Sequence, residues 1–440
     1  MKYTPHTPKD VQHILKTIGV DSVDALFEDV PTSIRNPKID IPSGLDEFGV
    51  LQHMKALAGK NKSLEEFPTF LGGGIRKHFQ PSAVDALTFQ SAFVTAYTPY
   101  QPEVSQGELQ AMFEYQSMIA ALTGLDVSNS SLYDGATAVA EAALLAMRQT
   151  NRSTVLVSRG VHPEYRETLT TFLECVGAKL VMLELDGTLT LPQTVDPDIA
   201  AVIVQNPNFL GSLEDMKALS DTAKQAGALF IAVVDPMSLA IIQAPAEYGA
   251  DIAVGDGQVV GNAANFGGPA YGFICVKDAL MRQLPGRLVG ATKDQDGKRG
   301  FVLTLQAREQ HIRRAKAKSN ICSNHALMAL QSAIYLSALG PNGLREVATV
   351  SAIMAHELEA ALKRVGLGLI TTGKFLNEFV VRLPKPPEEI RAALAAHSIH
   401  ACVPVPLEYG FGDAGLFAAT EITTSSEIMR LETALKAVLG

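Results

Sequence analysis

The chain has 440 residues, 37 Lys and Arg against 46 Asp and Glu, and a formal net charge of −9. That balance argues against nucleic acid or an anionic membrane as partner, since both select a net basic footprint. Hydrophobic residues at 47% and charged residues at 19% describe a well-buried globular chain rather than a disordered one, and the low charge implies that another subunit covers some apolar surface.

Cys175, Cys275, Cys322 and Cys402 are scattered without a C-x-x-C spacing, which reads as reduced thiols in a cytosolic protein. The start, Met1 to Val20, carries Lys9, Asp10 and Lys16 and lacks the apolar core of a signal peptide. The most apolar stretch, Gly227 to Val234, is far too short to span a membrane.

Residues 1–70 read as small helices, with Leu51, Met54, Leu57 and Ala58 at helical spacing and Pro31, Pro37 and Pro42 between them. Ser105 and Glu108 have the spacing of a capping box, opening a helix that carries Leu109, Met112, Phe113 and Ile119 and stops at Gly124. Asp134 caps a second, Ala-rich helix over Gly135 to Arg148. Apolar runs follow at 154–157, 180–183, 201–205, 229–234, 252–254 and 273–276, with helical segments near 164–175 and 213–226. Repeated strand–helix units imply an α/β fold with a mostly parallel sheet covered on both faces. After about residue 345 the pattern changes to a smaller α+β unit, with helices near 347–364, 387–397 and from Ser425, and short runs at 377–383 and 416–419. The expected division is 1–70, 71–335 and 336–440.

Asp235 follows the run 229–234, at the strand end where open α/β sheets bind ligands. In enzymes that use pyridoxal phosphate (PLP), an Asp in this setting pairs with the pyridine nitrogen; a turn or cap role is the plain alternative. PLP chemistry also needs a lysine amine, about two dozen residues further on, and no lysine occurs between Lys224 and Lys277. The helix opening at Asp134 could cradle a phosphate, but its own carboxylate favours simple capping. Two Gly-rich loops stand out. One is Asn265-Phe266-Gly267-Gly268-Pro269. The other, Leu71 to His78, ends in Arg76, Lys77 and His78 and reads either as anion-facing or as a solvated turn. Tyr97-Thr98-Pro99-Tyr100-Gln101-Pro102-Glu103 sets polar side chains on a Pro-stiffened path. The basic run Gln306 to Arg314 reads as a solvated helix face with ion pairs.

Together these segments resemble the P-protein of the glycine cleavage system, in the subunit 1 form. The resemblance rests on Tyr97 to Leu109, Leu303 to Arg314, Ser319 to Asn324, Thr123 to Asp126 and Pro285 to Gly290, and it runs over essentially the whole chain. Lys318, Ser323 and His325 stand where Thr, Thr and Gln are common in that family.

The resemblance implies an aspartate-aminotransferase-like PLP-dependent transferase fold, with a large seven-stranded-type sheet domain and a smaller C-terminal α+β domain. It implies glycine as substrate, loss of its carboxylate as CO2, and passage of the aminomethyl group to the lipoyl arm of the H-protein. PLP would be held covalently by a second (beta) subunit in an α2β2 complex in the cytoplasm, with neither nucleic acid nor membrane involved. On that reading Tyr97, Tyr100, Gln101 and Glu103 reach the partner's active site, and Asn265, Gly267 and Gly268 add backbone contacts near the PLP phosphate. No metal is expected. Two alternatives stay open at this point: an autonomous PLP enzyme using Lys277 or Lys293, and a purely structural subunit.

Overall fold

The computed structural model describes residues 5–35, 37–38, 40–265 and 268–440. Packing divides the chain into two compact units, one ending at Lys62 and one starting at Ser63. The first contains α1 (Pro8–Ile18) and α2 (Glu47–Ala58). Thr7 and Asp10 close a capping box on α1, and the Asp46 side chain caps α2. None of the described residues up to Lys62 is buried.

In the second unit, α3 (Ser82–Thr88) and α4 (Ser91–Val94) lead to α5 (Gln106–Thr123). Then come β1 (Val127–Ser128), α6 (Gly135–Thr150), β2 (Thr154–Ser158), α7 (Pro163–Cys175) and β3 (Lys179–Leu183). A small hairpin, β4 (Leu185–Asp186) and β5 (Leu189–Thr190), precedes β6 (Ile199–Asn206), α8 (Met216–Gln225), β7 (Leu229–Val234), β8 (Ile252–Asp256) and β9 (Gly272–Val276). A second hairpin, β10 (Val289–Lys293) and β11 (Arg299–Leu303), is followed by the short α9 (Gln310–Arg313). The chain finishes with α10 (Ala326–Arg364), β12 (Glu378–Arg382), α11 (Pro387–Ala396), β13 (Val403–Pro404), β14 (Ala414–Ala418) and α12 (Ser425–Leu439).

Seven strands form the main sheet in the order β1-β9-β8-β7-β6-β2-β3. The run from β3 to β8 is parallel, while β9 pairs antiparallel with both β8 and β1. Side chains alternate across a pleated strand, and here both faces are apolar. Leu156, Val202, Val204 and Phe230 pack with Tyr115 and Ile119 of α5 and Tyr335 of α10. Val155, Val157, Ile203 and Ile231 face the other way, against Ala138 and Ala142 of α6 and Leu169 of α7. Small alanines let α6 lie close on the sheet, which is why that helix is Ala-rich on several sides.

The helix α10 crosses residue 336, where a domain boundary was expected. It bends at Gly340, whose φ of 61° suits glycine, followed by Pro341, which has no N–H to donate. Before the bend, Ala329 and Ala333 pack in the large-sheet core. After it, Leu358 and Leu362 pack with Phe379, Val381 and Leu431 around the antiparallel sheet β12-β14-β13. One helix therefore ties both cores of the second unit together.

The expected capping box at Ser105 does not form. Ser105 has φ −120° and ψ 23°, outside the extended geometry of a capping residue, and its side chain caps nothing. Gln106 holds the start of α5 instead. Its amide donates to Pro102 O at 2.7 Å and Phe301 O at 2.9 Å, and its carbonyl accepts from Phe301 N at 2.8 Å. The helix is thus anchored to β11 rather than to its own first turn.

Candidate functional site

Two places gather chemistry-bearing side chains. The first is the cleft at the C-terminal ends of the parallel strands. Asp235 leaves β7 there, and Asp256 ends β8. The loop from Leu71 to His78 runs into this cleft. Gly73 and Gly74 take φ of 80° and 104°, and a side chain at Gly72 would begin 2.4 Å from Glu378 Oε1. This tight path delivers Arg76 to the interior, where it is 6% exposed. Its guanidinium pairs with Asp235 and, at 3.0 Å, with Glu378 at the start of β12. Burial disfavours its charge, but the two carboxylates outweigh that and hold the guanidinium protonated.

The remaining basic side chains of the loop are also paired. Lys77 Nζ meets Glu65 at 2.7 Å, and His78 Nδ1 meets Glu421 at 2.7 Å. The loop is therefore neither anion-facing nor a solvated turn: it brings cations to carboxylates. The turn after β8 offers no amine. Gln258, 23 residues past Asp235 (258 − 235), spends its side chain on Arg76 N and O, both at 3.0 Å, and on Asn262 O at 2.8 Å.

The N-terminus of α6 is likewise taken. Asp134 caps it in a box with Thr137, and Gly135 N donates to Asp256 Oδ2 at 3.2 Å. A Cβ at Gly135 would lie 2.2 Å from the Tyr165 hydroxyl, so that phenol rests on the helix start. His162 closes another side. Its Nδ1 accepts from Glu164 N at 3.2 Å, so Nε2 carries the proton and donates to Gly73 O at 2.9 Å. Burial lowers its pKa and favours this neutral form. The space left is about 50 Å³, bordered by Arg76, His162, Tyr165, Asp235, Asp256 and Glu378. Ligand pockets run to about 300–1,000 Å³. With no lysine, no ring space and no free anion seat, these residues do not fit PLP.

Neither lysine of the autonomous-enzyme alternative lies at this cleft. Lys277 follows β9, level with the start of β8, and pairs with Asp251 at 2.5 Å. That is the opposite sheet edge from Asp235. Lys293 ends β10, outside the main sheet.

The second place is where the distant motifs meet. Tyr97, Tyr100, Gln101 and Glu103 are all exposed, with Pro99 buried beneath them. The Tyr97 hydroxyl lies 3.5 Å from Ser323 Oγ. The Tyr100 ring packs edge-on to His311 at 6.1 Å and under the Arg287 guanidinium at 5.8 Å. Arg287 is 7% exposed and donates to Asn324 Oδ1 and Cys322 O, both at 3.1 Å. Among the described residues its Nε–H has no partner. Stretches 97–109, 285–290, 303–314 and 319–324 thus converge on one surface.

The Tyr97–Glu103 side chains are held unequally. Among the described residues, no hydrogen bond or ion pair engages the side chains of Gln101 or Glu103. Glu108, by contrast, borders a cavity of about 50 Å³ with Tyr97 and Tyr115, and burial raises its carboxyl above the ordinary range while Arg287 opposes. The basic run forms a solvated helix face only in part: residues 310–314 are exposed, with His311 Nδ1 3.6 Å from Glu309. The helix α9 has four residues, and Arg308 turns inward to the carbonyls of Leu284, Gly286 and Leu305.

Of the Gly-rich loop, Phe266 and Gly267 lie outside the described residues. Gly268 N donates to Asn265 O at 2.6 Å, and Ala270 O meets His325 at the start of α10. Among the described residues no cluster of His, Cys, Asp and Glu could hold a metal, and no helix is long and apolar enough to cross a membrane.

A solved glycine decarboxylase (P-protein) of the glycine cleavage system, in inhibitor-bound form, is 54% identical, with full coverage of both chains and a TM-score of 0.93. An aspartate aminotransferase from Thermus thermophilus shares the fold, with a TM-score of 0.56 at 16% identity over 84% of this chain and 99% of that one. A protein of Moorella thermoacetica described as "Probable glycine dehydrogenase (decarboxylating) subunit 1" is 48% identical over all of both chains. The family model for the glycine cleavage system P-protein matches residues 1–435, and the chain belongs to that family.

Proposed function

We propose that this chain is the non-anchoring alpha subunit of a two-subunit glycine decarboxylase, and that it completes an active site whose PLP is held by the beta subunit. Relatives named as a subunit 1 imply a second subunit. The reaction removes the carboxylate of glycine as CO2 and passes the aminomethyl group to the lipoyl arm of the H-protein, in an α2β2 complex of the cytoplasm. PLP supplies the electron sink for that decarboxylation.

One observation carries the reading. Motif segments far apart in sequence meet at an exposed surface around Arg287, not in this chain's own cleft. Tyr97 at 79% exposure, Tyr100 at 53% and Val104 at 79% leave apolar surface there that a partner would cover. Within it, Tyr97, Tyr100, Gln101 and Glu103 are the residues assigned to the partner's site. Their work would be to orient glycine and to move a proton at its α-carbon. The backbone of Asn265, Gly267 and Gly268 is assigned to the phosphate side.

The test is reconstitution with the beta subunit. Tyr100→Phe and Glu103→Gln should each slow glycine decarboxylation about 10²–10⁴-fold, the usual worth of a positioned acid or base. PLP content and complex assembly should stay at wild-type levels. Wild-type turnover in both variants removes the segment from the active site, and normal turnover per assembled complex with poor assembly makes it purely structural.

A further inference from the structure

The cleft beside Asp235 is filled by the chain itself, and the pattern of filling has a chemical logic. In a PLP-binding fold this strand-end carboxylate faces the protonated nitrogen of the cofactor ring, a planar delocalised cation. Here it faces the planar delocalised cation of Arg76. A helix start beside the sheet is a seat for an anion such as phosphate. Here Gly135 N at the start of α6 receives the Asp256 carboxylate at 3.2 Å. The space between them is bordered by Tyr165 and His162, whose rings lie 5.1 Å apart.

We propose that Arg76 is a built-in surrogate for the cofactor: its guanidinium occupies the cation seat on Asp235, keeps a pyridine ring out, and clamps Glu378 of the small sheet onto the large one. The inference rests on the family reading only in taking the cleft as the counterpart of a PLP site. Its charges make the case independently. Asp235, Glu378 and Asp256 border one cavity of about 50 Å³, and Arg76 is the sole arginine or lysine among its lining residues. His162 is held toward its neutral form by burial. Without Arg76, buried carboxylates would face one another with no counter-charge, a costly arrangement that creates demand for a cation. The clamp is specific too. Glu378 Oε1 takes both Arg76 Nη1 at 3.0 Å and Gly73 N at 2.9 Å, so the loop and β12 share one acceptor. Among the described residues, Arg76 Nε–H within the site has no partner.

The test uses the full chain with Arg76→Ala and two small ligands. Thermal melting of the variant should fall by about 5 °C or more, the scale expected when one member of a buried ion pair is removed. Guanidinium chloride at tens of millimolar (order of magnitude, well below denaturing levels) should restore much of that loss in the variant, against sodium chloride at equal ionic strength, and should not raise the wild type. Pyridoxamine, whose ring can be protonated, should bind the variant saturably by fluorescence titration and bind the wild type at least about 10-fold more weakly, about 1.4 kcal/mol. Guanidinium rescue without any gain in pyridoxamine binding would reduce Arg76 to an ordinary ion pair and overturn the surrogate role. An unchanged melting temperature would overturn the clamp. Where the alanine variant does not fold, Arg76→Gln takes its place. Its neutral, shorter side chain leaves the cation seat on Asp235 empty, and the same two titrations read the same outcomes. None of these measurements involves turnover or the beta subunit, so their failure is distinct from failure of the proposed active-site role.

Discussion

The carboxyl of Asp256 gives a stability signature that can be calculated from its surroundings. Burial at the closed end of the cleft pushes its pKa from 3.8 up to about 6, against hydrogen bonds from Gln258 N and Gly135 N that pull it down. Asp134 adds to the rise and His325 opposes it. The folded chain therefore holds this proton more tightly than the unfolded chain. Between pH 3.8 and 6 the native state binds more protons, so stability from this group is full at low pH and lost as pH rises through that window. A shift of about two pKa units corresponds to about 3 kcal/mol, of which about 2 kcal/mol falls between pH 4 and pH 7.5. Asp256→Asn removes the titration and keeps one acceptor oxygen for the backbone donors. Urea unfolding of wild type and variant at several pH values gives the difference in stability, and all other titrating groups cancel. That difference should move in favour of the variant by about 2 kcal/mol from pH 4 to pH 7.5. A difference that stays constant with pH refutes the assignment of a carboxyl whose proton is held by burial at the start of α6.

Glu421 should show the opposite sign. Burial raises its pKa, but hydrogen bonds from His78 and Phe79 N outweigh that and hold it below the ordinary range, so its stability is present above that range and lost as pH falls through the lowered value. Glu421→Gln should flatten the acid side of the unfolding profile, and an unchanged acid limb counts against the pairing. The isolated chain incubated with PLP and borohydride should yield no lysine-linked pyridoxyl peptide, since no lysine lies from 225 to 276 and Lys277 is tied to Asp251. Peptide mapping that finds one reverses that conclusion.

Much of the large sheet was legible because its signal is local. Runs such as 229–234 are apolar at every position, and a strand buried on both faces needs that pattern over only five to eight residues. The missing lysine was legible for the same reason, as a statement about one residue type in one interval. Where an expectation needed a specific partner, it did less well. Ser105 and Glu108 had the spacing of a capping box, yet Gln106 found partners on β11, 195 residues away, and took over the helix start. Local spacing lists what can pair. Which pair forms depends on competitors that the neighbouring sequence does not contain.

The Leu71–His78 loop shows how this affects a functional reading. Three glycines followed by Arg76, Lys77 and His78 announce a cationic loop able to approach something closely, and both features are real. The sign of what it approaches was open. An anion-facing loop and an internal counter-ion need the same residues, because a guanidinium is attracted equally to a ligand phosphate and to a protein carboxylate. The choice was made by Asp235, 159 residues away, and by Glu378, whose carboxylate also bonds Gly73. Once those carboxylates occupy the cleft, the arginine that could have drawn an anion neutralises the chain's own acids. A site can therefore keep the architecture of cofactor binding while its charges are spent inside the protein.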